Sequence, residues 1–223
     1  MNRLKFGMVM MSLLCLFTYS PAQNKRVSLN SSNPDITWKL MPQAEVEVSG
    51  YEISEAGYVA KNEVKGVVPG VVFTAYVEAG LEKDPNYGDN IYRVDETFYN
   101  RPFWYRTEFA LPPYPKEGER VWLHFDNINR YADFYFNGVK ISGTELSIKD
   151  VSGHMLRSKF DVTDLISKTG KNAIAVLIYD ANQKKTRDAK DGFGITASPT
   201  YLSAAGWDWM PYVPGRLHGI TGN

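Results

Sequence analysis

The sequence predicts an all-β chain folded as an antiparallel β-sandwich of the jelly-roll kind. Three observations predict it: short apolar segments alternating with period two, turn residues spaced closely between them, and helical periodicity confined to one brief stretch.

The polar residues 24–33 lead into the first candidate strand, Glu45–Val48. After Pro69-Gly70, Val71–Leu81 is the one stretch with helical spacing, and a short helix there is expected to bring Leu81 toward the core. Trp104–Leu111 and Arg120–Phe125 follow as strands. In the second of these, Val121, Leu123 and Phe125 point one way while Trp122 and His124 point the other, so one face meets the core. Tyr131–Phe136 ends at Asn137-Gly138, a pair that tolerates positive φ and so predicts a tight hairpin returning through Val139–Ile141. Ser158–Val162 adds a strand. Asn172–Tyr179 carries the unbroken apolar run from Ala173 to Ile178, whose β-branched residues and short length favour a strand buried on both faces. No internal repeat or low-complexity linker divides the chain, so one domain is expected.

Residues 1–22 read as a secretory signal peptide. Arg3 and Lys5 supply the charged start, and the apolar run Phe6–Phe17 is too short to span a bilayer. Ser20-Pro21-Ala22 offers cleavage after Ala22, leaving 23–223 as the mature domain in the periplasm or outside the cell, off the membrane once the signal is removed. Cys15 is the only cysteine, and Leu14 stands where a lipid-anchor site wants a small residue. Its loss with the signal leaves neither disulfides nor thiolate metal sites, so stability has to come from packing. A chain of this size buries roughly 70% of its unfolded surface, which one sizeable core can use. Twenty-five basic residues balance 25 acidic ones, so the single-sign field that nucleic acid or an anionic membrane needs is missing. Neutral partners are expected. The 13% aromatic content suits the apolar faces of sugar rings as well as a β core.

Catalytic patterns are sparse in the chain. The three histidines, His124, His154 and His218, share no metal-ligand spacing, so no metal and no cofactor is expected. Asp84–Asn90 is rich in oxygen ligands, but its glycine is misplaced for a calcium loop, which leaves a structural or recognition turn. Gly192-Phe193-Gly194 lacks the rest of a phosphate loop, and Ser203 lacks a nucleophile elbow. Asn62-Glu63 matches the step before a glycosidase acid/base glutamate, yet it lies in a charged stretch and reads as a solvated turn. The densest local signal is Gly206-Trp207-Asp208-Trp209, followed by Val213-Pro214-Gly215-Arg216. Indoles stack on the apolar face of a sugar, and a carboxylate accepts hydrogen bonds from adjacent hydroxyls. From chemistry alone this trio fits either monosaccharide recognition or a structural plug with Asp208 capping backbone N–H groups.

At this motif the chain resembles the N-terminal sugar-binding domain of glycoside hydrolase family 2, in the branch of β-mannosidases and exo-β-glucosaminidases. The resemblance runs in order through Val68-Pro69-Gly70, Asp84-Pro85 to Asn90, Trp104-Tyr105-Arg106, Phe134–Gly138, Phe160–Leu165 and Gly206–Trp209, covering nearly all of the mature chain. It implies a galactose-binding-domain-like jelly roll beside a β/α barrel, with carbohydrate as ligand and the barrel as partner. By position it implies that Asp208 contacts sugar hydroxyls, that Trp207 and Trp209 shape the pocket wall, and that Asn90 adds a polar contact or braces its loop. Arg216 is a further candidate. The resemblance places the two catalytic glutamates on the barrel, so the chain, ending at Asn223 while the closing strand is still expected to run, reads as a fragment that binds without cleaving. A freestanding carbohydrate-binding module and a structural sandwich for assembly or adhesion are the rival readings.

Overall fold

A computed structural model describes residues 25–99, 101–111, 115, 118–141, 151–153, 157–179 and 218–222. Among the described residues, ten strands form two antiparallel sheets: β1 (Trp38–Pro42), β2 (Val64–Gly66), β3 (Phe103–Ala110), β4 (Trp122–Phe125), β5 (Ile128–Phe136), β6 (Val139–Lys140), β7 (Val151–Gly153), β8 (Ser158–Asp161), β9 (Lys171–Tyr179) and β10 (Gly219–Ile220). The large sheet runs in the order β10-β5-β9-β3-β1-β2, with β6 and β7 also paired to β5, and β4 pairs with β8 in a small second sheet. The described connections include three short helices, α1 (Gly50–Ile53), α2 (Val72–Glu78) and α3 (Glu96–Tyr99).

Period-two alternation explains the core. Trp38 and Leu40 of β1, Phe103 and Tyr105 of β3, Phe134 and Phe136 of β5, and Ile174, Val176 and Ile178 of β9 point inward together. Phe134 joins the two sheets, its ring 4.8 Å from Phe125 of β4 and 4.9 Å from Phe160 of β8. On β4, Leu123 and Phe125 are buried while Trp122 and His124 are exposed, as the alternation requires. The hairpin after β5 is also as expected, with φ of 46° at Asn137 and 78° at Gly138.

β9 is buried along seven consecutive residues, so its second face needs its own cover. That outer face carries Met41, Trp104, Tyr135, Ala175 and Leu177, which pack with Ile53, Val46 and Val48 from the segment between β1 and β2. Arg106, only 1% exposed, fixes this cover to β3. Its Nε donates to the Ile53 carbonyl at 2.8 Å, and its Nη2 donates to the Glu55 carbonyl at 2.8 Å and to the Glu108 carboxylate. Glu108 also accepts from the Gly57 N–H at 2.8 Å. Burial raises the Glu108 pKa, but the hydrogen bonds from Arg106 and Gly57 and the charges of Arg106 and Lys39 outweigh it and hold the carboxyl below its ordinary value.

Two expectations fail. Glu45–Val48 is not a strand: a 3-10 turn occupies Gln43–Glu45, and the strand lies earlier, at β1. Val46 and Val48 are apolar because they cover the outer face, not because they pair in the sheet. Helix α2 forms where expected, but Leu81 is 63% exposed. The chain turns at Gly80, whose φ is 72°, and the Leu81 and Glu82 N–H groups both bond back to the Tyr76 carbonyl, so Val72, Phe73, Ala75 and Tyr76 are the residues that reach the core.

Replacing Arg106 by Met keeps much of the side chain's bulk but strips the Ile53 and Glu55 carbonyls of their donor. A loss of about 3 kcal/mol in unfolding free energy is expected from urea titration. Glu108→Gln, which retains an acceptor for Gly57 at a partly exposed position, is expected to cost about 1 kcal/mol.

Candidate functional site

One end of the large sheet gathers four chain segments. β3 starts there and β9 ends there, since Phe103 pairs with Ile178. β10 starts at the same end, with Gly219 opposite Asn129 of β5. The lead-in to α2 is fastened to β10, because Gly70 N–H donates to the Ile220 carbonyl at 2.8 Å and Val72 N–H to the His218 carbonyl at 3.0 Å. The fit is close enough to demand glycine at 219, where a Cβ would stand 2.3 Å from the Gly70 carbonyl oxygen. Tyr179, where β9 ends, and His218, just before β10, therefore both stand at this end, which is also where the segment after α2 leads into β3.

The 82–102 segment is rooted in an aromatic cluster. Tyr76 of α2 meets Phe98, Tyr99 and Phe103 edge to face at 5.2, 5.5 and 6.2 Å, and Phe73 meets Tyr99 at 5.2 Å. The Tyr99 hydroxyl donates to Glu82 at 2.9 Å and so closes the base of the loop. Burial first, and then the Glu82 carboxylate, pushes the Tyr99 phenol far above its usual range, while burial and Glu45 raise Tyr76 to about 12.

Within the loop, the Asp84 carboxylate accepts from the Asn86 backbone and side-chain amides at 2.9 and 3.0 Å. The Asp84 carbonyl accepts from the Tyr87 N–H at 3.2 Å and from Asn90 Nδ2 at 3.0 Å. Asn90 therefore braces the turn. Arg93 pairs with Asp89 at 2.7 Å one helical turn away. Among the described residues, no three His, Cys, Asp or Glu side chains come together to hold a metal ion. Glu63, beside the Asn62 turn, pairs with Lys39 at 2.8 Å on the surface.

His218, weighed in the sequence only as a metal ligand, is 3% exposed, with its ring tilted against Phe103 at 5.7 Å. Its Nε2 has no hydrogen-bond partner among the described residues, and burial pushes its pKa down to about 4. No local sequence signal marks it, because its burial comes from α2 and β3, both distant in the chain. The same holds for Glu82 and Tyr99. Trp207, Asp208, Trp209 and Arg216 lie outside the described residues, as do His154, Ser203 and Gly192–Gly194. Asn90 is the one expected binding residue that the structure describes, and it stands in the segment that leads into β3 at this end.

Fold and site together define a galactose-binding-like β-sandwich. Residues 47–221 match the family model described as glycosyl hydrolase 2 galactose-binding domain-like, and the chain belongs to this family. It is 29% identical over 199 residues to a mannosylglycoprotein endo-beta-mannosidase of Lilium longiflorum, covering 83% of this chain and 20% of that protein. It is 27% identical over 185 residues to an exo-beta-D-glucosaminidase of Streptomyces avermitilis, covering 82% of this chain and 18% of that protein. The fold is that of the beta-D-mannosidase from Dictyoglomus thermophilum, with a TM-score of 0.60 and 24% identity over 84% of this chain and 21% of that one. The chain thus spans about a fifth of the length of the curated relatives it matches.

The buried His218 predicts a pH dependence. Its folded pKa of about 4 lies below the ordinary histidine value of 6.5, so the unfolded chain takes up the proton first as pH falls. Its contribution to stability is complete above the higher value, declines between the two and levels off below the lower, a loss of about 3 kcal/mol in all. Urea titrations across this window are expected to show a shallower decline for His218→Leu than for the unaltered chain.

Proposed function

We propose that this chain is the amino-terminal sugar-binding domain of a secreted, exo-acting β-glycosidase and forms one wall of the pocket for the terminal sugar. The observation that carries this reading is the convergence at one sheet end: the loop braced by Asn90 and both roots of the segment bearing Trp207, Asp208 and Trp209 meet there. Membership in a glycoside hydrolase 2 family supports the substrate class. In this reading Asp208 accepts hydrogen bonds from two sugar hydroxyls, the flanking indoles wall the ring, Arg216 lends a donor at the rim, and Asn90 keeps the neighbouring loop in place.

Glycoside cleavage needs a proton donor and a second carboxylate flanking the scissile bond. We assign that pair to the remainder of the enzyme, a β/α barrel that is also this domain's partner. The domain then acts by holding the sugar through charge-assisted bonds that tighten as the ring distorts toward the transition state.

In the intact, barrel-containing enzyme, Asp208→Ala is expected to cost about 2 to 4 kcal/mol of transition-state stabilisation. That is roughly a hundredfold or more in turnover per folded molecule. Unchanged turnover with a lower melting temperature would instead assign Asp208 to capping its own loop. The isolated chain is expected to show no turnover of aryl β-glycosides, and reproducible turnover by it overturns this division of labour. Export is checked separately: amino-terminal sequencing of the secreted protein is expected to begin at Gln23, and a protein retained in the cytoplasm with Met1 refutes it.

A further inference from the structure

Between the 43–50 segment and the outer face of the large sheet lies a cavity of about 490 Å³. Its floor is built from Trp104, Tyr135 and Leu177, all nearly buried. The walls carry polar groups already fixed in place. Asp133, 6% exposed, accepts from the Tyr179 hydroxyl at 2.9 Å and pairs with Lys140 at 3.0 Å. Arg101 holds its guanidinium over the Phe98 ring at 4.6 Å, and no carboxylate pairs with it among the described residues.

This combination selects a class of ligand. An apolar floor the width of one ring suits a face of C–H groups, whereas a fixed carboxylate, a phenol and a guanidinium suit hydroxyls placed around its rim. A nucleotide phosphate would meet Asp133, and a peptide strand would find no open sheet edge here, because β3, β5 and β9 are all paired on both sides. A pyranose offers an apolar face to the floor and hydroxyls to the rim. The cavity also lies close to the site end: Trp104 and Asp133 both stand opposite Leu177, two residues before β9 ends. Two residues of strand are about 7 Å, roughly the length of one sugar unit.

We propose that this cavity is a second glycan subsite, separate from Trp207–Trp209, which takes a neutral sugar ring of the same glycan whose terminal residue the proposed pocket holds. The inference rests on that functional reading for the identity of the ligand, while its geometry is argued from described residues of this chain. Sugar is therefore bound here by the chain alone, whereas a single pocket wall at Asp208 grips sugar only when the rest of the enzyme covers it.

The test is saturation-transfer NMR of the full chain with β-1,4-mannobiose, with each variant first checked by circular dichroism melting. A dissociation constant in the millimolar range is expected for the unaltered chain, weakened about tenfold or more by Arg101→Ala and by Asp133→Asn. Lys159→Ala, on the opposite sheet against Trp122, leaves it unchanged. Arg101 is partly exposed and makes no buried hydrogen bond, so its variant tests the cavity even if Asp133→Asn unfolds. Binding that survives Arg101→Ala in a folded chain overturns the proposal, and so does binding lost in Asp208→Ala alone. Absence of any transfer to the unaltered chain also overturns it, while leaving the pocket-wall reading intact, because that reading expects the isolated wall to bind little.

Discussion

A sheet that is apolar on both faces has to be covered twice, and this constraint organises the rest of the molecule. β9 supplies the constraint, being buried over seven consecutive residues at the centre of the large sheet. One cover is the small β4–β8 sheet, locked on by the Phe125–Phe134–Phe160 stack. Among the described residues, the other has no sheet behind it. It is an irregular segment with one short helix, and a backbone of that kind over an apolar surface leaves carbonyls that water no longer reaches. Arg106 resolves this from inside the sheet, since its planar fork serves two carbonyls and a carboxylate in different directions. A lysine at that place could not reach all three in fixed geometry.

The same double cover determines where chemistry can be placed. With both faces occupied, the open surface of the sandwich is its ends, and at one end the connections are long. The segment after α2 leads into β3 there, and Tyr179 and His218 stand at the same end. That segment holds only a 3-10 turn and the four-residue α3, and it is stiffened by an aromatic cluster at its root, the Tyr99–Glu82 bond across its base and Asn90 across its tip. Loops held in this way by a rigid scaffold can present polar groups with little loss of entropy on binding. The outer cover leaves one more concavity next to the same end, where Asp133 is already fixed by Tyr179 and Lys140.

Much of this was legible in the sequence. Alternation on Val121–Phe125, the unbroken run in β9 and the Asn137-Gly138 pair determined three strands and a turn, because side-chain period and φ preference are local properties. The ordered motifs from Val68 to Trp209 placed the chain in its family, and Asn90 was identifiable as a loop residue before its bond to Asp84 was seen. The errors are equally physical. Glu45–Val48 has a strand's composition because Val46 and Val48 cover a sheet face, and composition does not distinguish covering a sheet from belonging to one. Leu81 kept the helical spacing, but Gly80 had already turned the chain outward.

Only tertiary structure could decide what depends on meetings between distant residues. Arg106 reads in the sequence as one more charge on an alternating strand, yet its donors find partners some fifty positions earlier in the chain. His218 reads as a lone polar residue, and its depressed pKa arises entirely from being enclosed. Asp133, Tyr179 and Lys140 carry no spacing that announces a network, since they come from three strands whose register brings them together. The sequence by itself determined periodicity, turns and family, which neighbouring residues encode. Burial, charge pairing and the shape of a cavity belong to the sum of the fold, because desolvation and Coulomb interaction act through space and not along the chain.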